Sequence, residues 1–176
     1  MADIEGPLLA QLGAFLALLL AASAVHKALR RQRAESAVRE LAGVPQAAAG
    51  SAVAAACLAE MLSAVLLLVP AGRGAGAGLS MLILAAYFAL IARAVMQGRR
   101  DVDCGCRFGT GGGRLGAFEI GRNALLLAGA TLLAARASEA APIELSQLLG
   151  ACALLAVYAA LDQVMGLRPM RAGAVL

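Results

Sequence analysis

Two cysteines separated by a single glycine, Cys104-Gly105-Cys106, stand in the polar stretch DVDCGCRFG. Bridged cysteines place their Cα atoms about 4.4–6.8 Å apart, and residues two apart in an extended chain reach only the top of that range. Gly105 lets the backbone bend and bring the sulfurs closer. So small a ring is strained, and strained, exposed disulfides are the ones that exchange. Arg99, Arg100 and Arg107 favour the reactive thiolate, while Asp101 and Asp103 oppose it. The pair reads as a thiol–disulfide redox centre. A zinc site wants four ligands, and the chain has one histidine, His26, beside two local thiolates. A two-thiolate Cu(I) site and an inert loop are the rival readings; no metal is expected.

A second set of chemical groups lies inside apolar runs. Glu60 stands near the middle of one, where an unpaired carboxylate costs several kcal/mol, so it must face other helices and be neutral or paired. Glu119 and Arg122 are three apart and can pair along one helix face, or Arg122 can reach across to Glu60; Asn123 follows. A polar site beside the thiols and an interhelical clamp both account for these ions. Cys57 and Cys152 lie in apolar surroundings and read as small hydrophobes.

The elements that must hold these groups follow from composition. The chain has 176 residues, 61% of them hydrophobic against about 45–50% in soluble domains, and a mean hydropathy of +0.81. A body this small cannot hide that much apolar surface from water. Five runs are long enough to cross a bilayer: Leu8 to Val25, Ala47 to Val69, Gly78 to Met96, Leu115 to Ala135 and Ile143 to Val164. All five must be helical, because an open sheet leaves backbone groups unpaired in lipid. The expected architecture is all-α, a polytopic transmembrane bundle with a four-helix core and a fifth helix, forming one integral membrane domain over residues 1–176.

Residues 28–42 are either an amphipathic helix lying in the interface or a solvated basic loop. Residues 97–114 form the redox loop. The stretch GRGAGAG, Gly72 to Gly78, reads as a flexible turn. Ala117, Gly121, Ala124 and Ala128 form a small-residue stripe expected to pack helix on helix.

Charge orients the chain. The first and third connectors and the C-terminal tail hold twelve basic residues; the second and fourth hold only Arg73 and Arg136. By the positive-inside rule the N-terminus is outside, and the C-terminus and the Cys-Gly-Cys loop are cytoplasmic. The net charge of +4 is this topological signal and not a nucleic-acid footprint, since no basic stripe with interleaved aromatics exists.

In order and spacing these features resemble the methylamine utilisation protein MauE family of bacterial membrane proteins, related to the DoxX-like group. The pattern is a helix ending in His-Lys with a basic segment closing on Pro, matched at His26, Lys27 and Pro45. A helix with a central Glu follows, matched at Glu60. Next comes a Cys-Gly-Cys-Phe-Gly loop, matched at Cys104, Gly105, Cys106, Phe108 and Gly109, and then a helix with Arg-Asn, matched at Arg122 and Asn123. Arg107 is an insertion relative to that pattern.

The resemblance, over roughly Leu8 to Ala135, implies a four-helix membrane core that supplies or reshuffles disulfides for a partner. In the methylamine system that partner is the small subunit of methylamine dehydrogenase. On this reading Cys104 and Cys106 exchange, while Glu60, Arg122, His26, Lys27 and Asn123 relay protons, tune the site or hold the bundle. The setting is a bacterial inner membrane, and the partners are lipid and a client or thioredoxin-like protein. No cofactor is called for, and a quinone stands open as electron acceptor. A conflict goes with it: disulfides persist outside the cytoplasm, yet the charges put the loop inside. A small transporter, favoured by Glu60 and Arg122, and a non-catalytic assembly partner are the alternatives.

Overall fold

With no water to satisfy backbone polar groups, an apolar run of this kind closes its hydrogen bonds within itself as a helix. The computed structural model of the chain describes residues 2–99 and 116–166, and all regular structure among them is helical. The helices are α1 (Ala2–Leu29), α2 (Arg31–Ala42), α3 (Gln46–Leu68), α4 (Arg73–Met96), α5 (Ala117–Ala135) and α6 (Leu145–Gly166), with short 3₁₀ turns at Pro70–Gly72 and Ala137–Glu139. All but α2 are long and apolar enough to cross a membrane, and the chain is a multi-pass membrane protein.

The basic segment is a helix. It breaks from α1 at Arg30 and stops at Gly43, whose φ of 70° is a left-handed conformation that suits glycine at a helix end. Its buried face is Ala34 and Ala37, turned to the bundle. Pro45 precedes the first residue of α3 and cannot continue α2.

In the bundle α1 packs on α3 and α6, α3 packs on α4, and α4 packs on α5. Leu16, Leu67, Leu84, Leu126 and Leu133 meet in the core, while Leu149, Leu154, Val157, Leu161 and Val164 of α6 face outward, as suits a helix against lipid.

Two expectations are corrected here. The glycine-rich stretch after Pro70 is mostly helix: α4 starts at Arg73 and carries Gly74, Gly76 and Gly78 in its first turns. Glycine is a poor helix former, but here it permits a close crossing. A Cβ on Gly76 would sit 2.7 Å from the Leu67 nitrogen, and the Gly76 carbonyl accepts a hydrogen bond from Ser63 Oγ (3.0 Å). The stripe of Ala117, Gly121, Ala124 and Ala128 is exposed; α5 buries Glu119, Asn123, Leu126, Ala130 and Leu133 instead. The reason is polarity. Burying the opposite side removes a carboxylate and an amide from lipid, which outweighs the modest gain from close backbone approach.

Contacts define two ends. At one, the C-terminal parts of α1, α4 and α6 meet the N-terminal part of α5 and the middle of α3. At the other, Arg73 Nη1 donates to the carbonyls of Ala140 and Ala141 (both 2.9 Å), the Ala141 N–H donates to the Gly6 carbonyl (3.1 Å), and Arg136 pairs with Glu5 (3.2 Å).

Candidate functional site

The first end holds the buried ion pairs. Lys27 lies in the last turn of α1, where a cation also suits the helix dipole. One turn earlier Ser23 faces the same way and accepts a hydrogen bond from Lys27 Nζ (2.7 Å). Lys27 forms an ion pair with Glu60 Oε1 and donates to Tyr87 OH (3.2 Å); its ammonium lies 4.8 Å from the centre of the Tyr87 ring. Ser23 Oγ (3.1 Å) and Tyr87 OH (2.7 Å) also donate to Glu60 Oε1. Glu60 is fully buried, and three donors from two helices, α1 and α4, converge on this one carboxylate oxygen. Its other oxygen, Oε2, is buried and has no hydrogen-bond partner among the described residues.

A second ion pair lies alongside. Arg122 of α5 binds Asp162 Oδ1 of α6, with the two side chains 7% and 1% exposed. The guanidinium sits 5.7 Å from the Tyr158 ring centre, and Tyr158 meets Phe15 edge-on at 6.2 Å. Glu119 turns back to cap its own helix, its Oε2 accepting the Gly116 N–H (2.9 Å). Asn123 Nδ2 donates to the Glu119 carbonyl (3.0 Å). Arg122 thus meets Asp162, and Glu60 meets Lys27. Charges buried in this way are stable only when paired and hydrogen-bonded.

Two cavities border these groups. One of about 40 Å³ is lined by Glu60, Ser23, Tyr87, Arg122, Asn123 and Tyr158 together with core leucines. The other, about 230 Å³, lies between α2, α3 and α4; its walls are aliphatic except for Lys27 and Tyr87. Among the described residues no group of three or more His, Cys, Asp and Glu side chains could hold a metal.

The residues singled out from sequence are only partly brought together. Lys27 and Glu60 touch, and Glu60, Arg122 and Asn123 share the small cavity. His26 is half-buried on α1 beside Lys27. Cys104 and Cys106 lie outside the described residues. Cys57 donates to the Ala24 carbonyl (Sγ to O 3.6 Å), and Cys152 is exposed on α6.

The family model described as methylamine utilisation protein MauE matches residues 6–136. The chain belongs to the MauE family. The MauE match spans α1 to α5 and ends before α6, so Tyr158 and Asp162 enter the site from a helix beyond the matched region. No curated protein and no solved structure matches the chain.

Sequence reasoning missed Ser23, Tyr87, Tyr158 and Asp162. Asp162 carried a usable signal, an acid inside an apolar run, which is the same signal that exposed Glu60. Ser23 is four residues before Lys27 and so shares its helix face. Nothing in the local pattern singles out Tyr87 or Tyr158.

Proposed function

We propose that the chain is a thiol–disulfide redox protein of the bacterial inner membrane that assists disulfide formation or maturation in a partner protein, with Cys104 and Cys106 as the exchanging pair. One observation carries this. The buried ion pairs gather at the end of the bundle where α4 stops and α5 starts, and those are the two termini between which the cysteines lie in sequence. Membership of the methylamine-utilisation family supports a role in maturing a protein of that metabolism.

A client thiolate attacks one sulfur of the Cys104–Cys106 disulfide, a mixed disulfide forms as that S–S bond breaks and the other cysteine leaves as thiolate, and a second client thiolate then releases the client disulfide and leaves both cysteines reduced. Regenerating the internal disulfide from two thiols releases two protons and two electrons. Lys27, Glu60 and His26 hold or relay the protons, while Arg122 and Asn123 tune the site or hold the bundle. Those two electrons and two protons would be taken up by a lipid-soluble oxidant, for which the quinone class stands open; the aliphatic slot edged by Lys27 and Tyr87 would hold a molecule of that kind. The twelve-to-two charge asymmetry supports a cytoplasmic position for this end.

The test is trapping with a mass-tagged maleimide in native membranes. Cys104 and Cys106 are expected to be protected before reduction and labelled after it, and the Cys104→Ser/Cys106→Ser variant to lose client maturation. Equal labelling in both conditions, with full maturation in the double serine variant, overturns the reading. Reporter fusions at Gly111 and Gly74 check the orientation, with a cytoplasmic signal expected at Gly111 and an external one at Gly74.

A further inference from the structure

The Lys27–Glu60 and Arg122–Asp162 pairs are held by different helices, yet one member of each, Glu60 and Arg122, lines the same cavity of about 40 Å³. Glu60 is used unevenly. Its Oε1 accepts from Ser23, Lys27 and Tyr87, while Oε2, in the same fully buried carboxylate, has no partner among the described residues. A buried carboxylate oxygen left without a donor is strongly unfavourable, so a donor must come from elsewhere. A cavity holds water when it offers at least about 10–15 Å³ and two to four polar partners. This one has the room, and Ser23, Glu60, Tyr87, Arg122, Asn123 and Tyr158 line it together with four leucines. An apolar cavity of the same size would stay dry.

We propose that this cavity is a water-binding site between Glu60 and Arg122, with Glu60 Oε2 as the carboxylate atom the water serves and exchanges protons with. A proton reaches Glu60 when one O–H bond of the bound water breaks as the O–H on Oε2 forms. The bound water recovers its proton from a hydronium of the solvent, so Glu60 gains one proton and the solvent loses one. Glu60, otherwise sealed among helices, exchanges with solvent by this route. The inference is independent of the thiol reading and holds for a chain without Cys104 and Cys106.

The test is infrared difference spectroscopy of the full chain in lipid nanodiscs, with water itself as the probe. Exchanging H₂¹⁶O for H₂¹⁸O is expected to shift a sharp O–H stretching band of bound water. Leu126→Phe and Leu84→Phe, which fill the cavity from two sides, are expected to remove that band and slow deuteration at Glu60 at least tenfold. Glu60→Gln identifies the carboxylate band. Cys104→Ser/Cys106→Ser is expected to keep both signals, which separates this inference from the redox proposal. Absence of any ¹⁸O-sensitive bound-water band in the wild-type protein overturns it. So does unchanged deuteration in either folded cavity-filling variant. If neither variant folds, the wild-type isotope shift decides alone.

Discussion

The two ends of the bundle bury cations in different ways. At one end the partners of buried Arg73 are the carbonyl oxygens of Ala140 and Ala141, groups that neither gain nor lose protons. The ion pairs there, Arg136 with Glu5 and Glu139, are about half exposed. At the other end each buried cation meets a buried carboxylate, Lys27 with Glu60 and Arg122 with Asp162. The first arrangement ties helix ends together and can do little else. The second can store and pass protons, because both partners of Lys27–Glu60 are ionisable and share Tyr87 as a further proton-bearing group. Position in the membrane does not by itself make a buried charge functional; the chemistry of its partner does.

The contrast can be broken most forcefully at Glu60. Glu60→Ala leaves Lys27 buried without a counter-charge and is expected to cost about 3–5 kcal/mol in unfolding free energy in detergent. The Lys27→Met/Glu60→Leu double variant should recover most of that loss, because a hydrophobic replacement of a whole buried pair is often neutral. Recovery of stability without recovery of exchange would show that the pair serves function more than folding. Asp162→Ala is expected to cost about 3 kcal/mol for the same reason, with the cation–π contact to Tyr158 retaining part of the Arg122 environment.

Arg73→Met removes two charge-assisted hydrogen bonds and should cost about 2 kcal/mol, lowering the thermal midpoint. The smallest effect belongs to Arg136→Ala, below about 1 kcal/mol, since exposed ion pairs contribute little. A large loss there would mean that the clamp end carries more of the fold than its geometry suggests.

These expectations also show what could be read in advance. Length and hydropathy pointed to the all-helical membrane bundle, because lipid leaves a spanning segment few other choices. Glu60 and Arg122 stood out as charges inside apolar runs. Their partners did not, since a carboxylate in one helix gives no hint of which neighbour will turn a lysine or tyrosine toward it. Asp162 was visible by the same logic as Glu60 but stands near the end of its run, where a charge passes for a boundary. The stripe from Ala117 to Ala128 misled because small residues serve a lipid-facing surface as readily as a helix contact. The stretch from Gly72 to Gly78 misled because a tight crossing and a turn draw on the same residue. Lys27 was noted from its place beside His26, but its role as the counter-charge to Glu60 is a product of how α1 and α3 meet.

The measurement that tests the account most directly compares the two ends in one assay. The rate of thiol–disulfide exchange at Cys104–Cys106 would be followed by timed maleimide trapping in membranes for the wild type, Glu60→Gln and Arg73→Met. The account predicts that Glu60→Gln slows exchange at least tenfold while Arg73→Met stays within about twofold of the wild type. Equal rates in all three, or equal slowing in both variants, would contradict it.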